Sequence, residues 1–119
     1  MALILVVDDE YLVAIMLADM LEDEGHEVLT ASNGQLALDA IANRQPDLVI
    51  TDFMMPVMTG LELAEALRGT STTAAVPILL VSGAQGGIAR GRPDLFDAVI
   101  DKPYQTTMMI NRIRALLAG

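Results

Sequence analysis

At 119 residues the chain suffices for one domain and leaves no room for a second, so a single domain over residues 1–119 is expected. It contains no cysteine, which excludes a disulfide scaffold and fits a reducing compartment. A formal charge of −9 argues against direct nucleic-acid binding, because phosphate backbones attract basic faces.

The first element is Leu3 to Val7, an unbroken apolar run of the kind a strand buried on both faces requires. It falls far short of the roughly 20 apolar residues of a membrane span, and no basic stretch precedes it. A soluble, cytoplasmic protein with no membrane or nucleic-acid partner is therefore expected. A helix follows from about Tyr11 to Glu24 and stops at Gly25, a suitable left-handed cap. On it Val13, Leu17, Met20 and Leu21 recur at helical spacing and should face a sheet, which leaves Leu12, Ile15 and Met16 on or near the outside. The sole histidine, His26, sits in the turn Gly25-His26-Glu27 and is expected to face solvent.

Glu27 to Ala31 reads as a second strand, and Asn33 as the N-cap of a helix reaching about Asn43. Leu48 to Ile50 is a third strand after the Pro46-Asp47 turn, and Gly60 to Arg68 a short helix. Pro77 to Val81 and Ala98 to Ile100 are the fourth and fifth strands. Between them, Gly83 to Pro93 carries four glycines and a proline, and each interior glycine costs a helix about 1 kcal/mol against alanine. At most a short, mobile turn of helix is expected there. The last helix runs from about Gln105 to Leu117, with Met109, Ile113 and Leu116 on its inner face. Strands and helices alternate throughout, the signature of a parallel sheet covered on both faces.

In such sheets ligands bind beyond the carboxyl ends of the strands. Here the first strand leads into Asp8-Asp9, the third into Asp52, the fourth into Ser82 and the fifth into Lys102. Taken singly, an Asp after a strand is more often a helix cap, a Ser a turn residue and a Lys a solvated cation. As a set they suit one chemistry. Converging carboxylates raise one another's pKa unless a cation sits between them, and oxygen donors of this kind suit Mg2+. Lys102 adds a compact positive charge able to hold a phosphoryl oxygen.

The runs Val6-Val7-Asp8-Asp9-Glu10, Asp52-Phe53-Met54-Met55-Pro56-Val57-Met58-Thr59-Gly60, Val81-Ser82-Gly83 and Asp101-Lys102-Pro103-Tyr104 resemble the four signature blocks of the response-regulator receiver family, over essentially the whole chain. The resemblance implies a doubly wound, flavodoxin-like α/β fold with a five-stranded parallel sheet of order 2-1-3-4-5. It implies two-component or phosphorelay signalling in which Asp52 accepts a phosphoryl group from a partner's phosphohistidine. Asp9, Asp52 and the Met54 carbonyl would hold Mg2+ directly, and Asp8 through water. Ser82 would hydrogen-bond the phosphoryl group, Lys102 would neutralise it, and the Lys102–Pro103 bond would be cis. Such a chain catalyses only its own phosphorylation and slow dephosphorylation. Its partner would be a histidine kinase or histidine phosphotransfer protein docking near Leu12, Ile15, Met16, Pro103 and Tyr104.

The sequence departs from the family's pattern in three places. Val99 stands where an aromatic usually swings on activation, and Phe96 is not in register to replace it. Met54 and Ala84 occupy positions where relatives carry polar groups that handle the attacking water. The fourth helix is broken by glycines. Two other readings compete: a degenerate receiver acting only as an interaction module, and a small phosphohydrolase with an Asp nucleophile. Retention of all five site residues weighs against the first. Met54, where a second Asp would be needed, weighs against the other.

Overall fold

Five short aliphatic runs form the strands β1 (Leu3–Val7), β2 (Glu27–Ala31), β3 (Leu48–Asp52), β4 (Ile78–Ser82) and β5 (Ala98–Asp101). The helices between and after them are α1 (Tyr11–Asp23), α2 (Gly34–Asn43), α3 (Gly60–Arg68), α4 (Gly86–Arg90) and α5 (Thr106–Ala118). The computed structural model describes residues 2–83 and 86–118. All strand pairs are parallel and the order is β2-β1-β3-β4-β5, as the family resemblance implies.

Strand side chains alternate between two cores, which is why the central strands must be apolar at nearly every position. Ile4, Val6, Leu48, Ile50, Leu79 and Val81 meet Leu17 and Leu21 of α1 and Met109 and Ile113 of α5. Leu5, Val7, Val49, Ile78 and Leu80 meet Ala37, Leu63, Leu67, Ala89 and Phe96 on the other face. The edge strand β2 exposes Glu27 and Thr30.

Local chemistry sets the helix starts. Asn33 Oδ1 accepts the Leu36 N–H at 2.9 Å, satisfying a donor that the first turn would leave open. Thr59 and Glu62 form a reciprocal capping box at the start of α3. Gly25, at φ +91°, ends the first connection in the left-handed region open to glycine. The glycine-rich stretch keeps only the five-residue α4.

Two details differ from the pattern-based reading, and a third, Phe96, agrees with it. On α1 the buried residues are Ala14, Leu17 and Leu21, while Val13 and Met20 are half-buried: the helix turns its small alanine to the sheet. His26 is not solvent-facing but half-buried, and its Nδ1 accepts the Ala2 N–H at 3.2 Å. Phe96, out of register for the vacant aromatic position, is a core residue at 5% exposure.

The amino end of the sheet is drawn together by Arg68. Its guanidinium donates to the carbonyls of Ala74, Val76 and Leu95 and to Asp97 Oδ2, at 2.6–2.9 Å. Asp97 Oδ2 also accepts the first N–H of β4, from Ile78, at 2.8 Å.

Candidate functional site

At the carboxyl end of the sheet the central strands deliver polar residues to one crevice. Main-chain pairing extends β3 to Asp52, β4 to Ser82 and β5 to Asp101. Asp52 therefore stands opposite Val81, and Ser82 opposite Asp101. The N–H of Lys102 donates to the Ser82 carbonyl at 2.8 Å, so Lys102 leaves β5 pinned to the end of β4. The Lys102–Pro103 peptide is cis, as the resemblance implies.

Carboxylate oxygens of Asp8, Asp9 and Asp52 lie within 4.8 Å of one another, a spacing that one cation can bridge. Oxygen-only donors of this kind fit a hard divalent ion such as Mg2+. Lys102 Nζ is 3.5 Å from Asp52 Oδ1 and 3.9 Å from Asp8 Oδ2, so it leans on both carboxylates and satisfies neither alone. Backbone amides add partial compensation. Glu10 N–H donates to Asp8 Oδ1 at 2.9 Å, and Phe53 N–H to Asp52 Oδ1 at 3.0 Å.

Burial nevertheless wins at both residues. It pushes the pKa of Asp8 and of Asp52 above the usual carboxylate value, against the Lys102 charge and the two amide bonds. The neighbouring carboxylates push the same way. Asp9 is the exposed member of the cluster. Ser82 is fully buried.

After Asp52 the chain makes a tight loop back to α3. The Met54 side chain, two residues after Asp52, is 57% exposed, while Met55 turns into the core. Met58 N–H donates to the Pro56 carbonyl at 2.7 Å, closing a three-residue turn over Val57, whose φ is +71°. Gly60 N–H donates to the Phe53 carbonyl at 2.8 Å. A Cβ on Gly60 would lie 2.3 Å from the Asp52 carbonyl oxygen, so only glycine lets α3 start this close to the Asp52 backbone.

Two features escaped the sequence reading. Thr51, inside the apolar run of β3, is buried, with its hydroxyl 2.9 Å from the Asp52 carbonyl oxygen. Tyr104 is half-buried against the α1/α5 core, and burial pushes its phenol pKa up. On α1, Leu12 and Met16 are exposed at 72% and 71%, whereas Ile15 is half-buried; Pro103 is exposed. Ala84 lies outside the described residues. An open cleft of about 410 Å³ runs from Asp8 and Asp9 past Tyr11 to Ser32 and Leu36.

Comparison with known proteins agrees with this geometry. The family model described as the response regulator receiver domain matches residues 4–114. The phosphate regulon transcriptional regulatory protein PhoB of Pseudomonas aeruginosa is 36% identical over 116 residues, 96% of this chain and 51% of PhoB. Response regulator MprA of a Mycobacterium species is 37% identical over 114 residues, again 96% of this chain and 50% of the relative. The chain thus spans about half the length of the curated relatives it matches. The receiver domain of a signal transduction histidine kinase from Syntrophus aciditrophicus superposes with a TM-score of 0.92 at 28% identity, covering 100% of this chain and 92% of that one. The chemotaxis response regulator CheY4 of Vibrio cholerae gives 0.89 at 30% identity, with 98% of each chain covered. With its sheet order, its acidic cluster and these matches over nearly its full length, the chain belongs to the response-regulator receiver family of two-component signalling.

Proposed function

We propose that this chain accepts a phosphoryl group on Asp52 from a partner's phosphohistidine and serves as a switch or phosphorelay carrier. The observation that carries the reading is the placement of Lys102 Nζ 3.5 Å from Asp52 Oδ1, with the Asp8 and Asp9 carboxylates gathered around the same group. In the reaction a carboxylate oxygen of Asp52 bonds to phosphorus in line as the phosphorus–nitrogen bond breaks, and the electron pair leaves with the partner's imidazole. Lys102 neutralises charge on the transferred oxygens, and Ser82 donates to one of them. Asp8, Asp9, Asp52 and the Met54 carbonyl are the groups that would hold Mg2+, which supplies further charge neutralisation when bound. The chain turns over nothing but its own acyl phosphate.

His26, half-buried in the turn before β2, lies away from the strand ends that carry Asp52 and Lys102, so the phosphohistidine comes from another protein. The docking surface for a histidine kinase or phosphotransfer protein is assigned to the exposed Leu12 and Met16 together with Ile15, Pro103 and Tyr104. Among the described residues no helix is long and apolar enough to cross a membrane, consistent with a cytoplasmic site of action.

The test is intact-mass spectrometry after incubation with acetyl phosphate and Mg2+. The wild type should gain one phosphate and Asp52→Asn none. Labelling retained in the variant overturns the acceptor assignment.

A further inference from the structure

The loop from Phe53 to Thr59 carries a conflict between its sequence and its backbone. Val57 is β-branched, yet sits at φ +71°, a region that such residues avoid. It is 80% exposed, so burial of its own side chain does not hold it there. The residue that follows does make contacts. Met58 is half-buried against the core, and a methyl group on Gly34 would lie 2.8 Å from its Cβ, Cγ and Sδ. The bare backbone of Gly34 at the start of α2 is thus what lets Met58 lie across it.

We propose that Met58, seated on Gly34, is the anchor that holds Val57 in its strained turn, and that the two together are positioning residues for the cation site. The reasoning is geometric. One end of the loop is Asp52, and the other is fixed by the Gly60 N–H bond to the Phe53 carbonyl. Between these ends the only freedom is the path through Met54 to Met58. An anchored Met58 dictates that path, and with it the direction of the Met54 carbonyl. Without the anchor, valine relaxes toward negative φ and the turn opens. This inference rests on the reading of Asp52 and Met54 as cation ligands.

The decisive experiment combines variants whose effects should not add. Two quantities are measured: hydrogen exchange of the Met58 and Gly60 amides in Mg2+-free protein, and Mg2+ affinity by calorimetry. Met58→Ala should lose about tenfold in both. Met58→Leu, which keeps the anchor's bulk, should behave as wild type. Val57→Gly with Met58→Ala should return both to within about threefold of wild type, since glycine adopts positive φ with no anchor. A contact that merely contributed packing would not be rescued this way. Far-UV circular dichroism verifies that each variant is folded. A double variant no better than Met58→Ala overturns the proposal, as does Met58→Ala with wild-type exchange. A wild type that takes up no Mg2+ overturns the function assigned to the site, and the exchange pattern then decides the clasp alone.

Discussion

Asp8 and Asp52 hold their charge at a cost to the metal-free fold. Both carboxyls have folded pKa values above their ordinary 3.8, chiefly through burial. A carboxyl raised in this way binds its proton more tightly folded than unfolded, so its contribution favours the fold at low pH and is lost as pH rises through the folded value. Asp52→Asn should therefore melt higher than wild type in chelator at neutral pH and show a weaker loss of stability as pH rises from the ordinary carboxylate value of 3.8 through the raised folded value. Thermal melts across pH test this, and a variant melting below wild type contradicts it. Mg2+ should raise the wild-type melting temperature by binding the folded state alone. On the proposed function, Met54 should act on the phosphorylated form. Its exposed thioether offers no donor to orient a water opposite the acyl phosphate, and positioning such a nucleophile is worth several kcal/mol of barrier. Met54→Asn should shorten the phosphate's lifetime several-fold in a decay time course; an unchanged lifetime would show that this position does not set it.

The elements explain what could be read in advance. Each central strand is nearly all aliphatic because both faces are covered, so the layered parallel sheet followed from alternation, whereas the strand order came only from the family resemblance. The acidic, hydroxyl and basic residues were visible because each interrupts such a run. Their inclusion in the ladders was not, since main-chain pairing such as Asp52 opposite Val81 leaves no trace in hydropathy. Thr51 was passed over for the opposite reason: one threonine in an aliphatic run reads as strand filler, although its hydroxyl reaches the Asp52 carbonyl. His26 deceived because its partner, Ala2, is remote in sequence. The helix α1 is amphipathic in the expected sense but presents Leu12 and Met16 outward. Leu12→Asp should slow phosphotransfer from a cognate histidine donor about tenfold, as loss of an apolar contact in an interface does. Labelling by acetyl phosphate should be unchanged. Equal loss with both donors would indicate a folding defect and remove α1 from the docking surface.

Over the whole molecule the two ends of the sheet are built differently. Arg68, with 18% of its side chain exposed, unites the end of α3, the loop before β4 and the approach to β5 through three carbonyls and Asp97. Arg68→Met would remove the guanidinium from the Ala74, Val76 and Leu95 carbonyls and leave Asp97 with the Ile78 N–H, and should cost roughly 1–3 kcal/mol in urea unfolding. It should leave labelling at Asp52 intact, because the staple lies at the far end of the strands. Loss of labelling without loss of stability would contradict this division. At the reactive end the corresponding tie between α4 and β5 is the exposed pair of Arg90 with Asp101, at 3.0 Å. Exposed pairs of this kind are worth at most about 1 kcal/mol. The expected consequence is mechanical: a fan clamped at its base, with compliance concentrated at the rim. If Asp52 is the phosphorylated residue, the added charge should displace the rim beside Asp101 and α4 and leave the base little changed. Amide exchange should record that gradient, with Val76 and Ile78 slow in both states and α4 the segment whose exchange changes on phosphorylation.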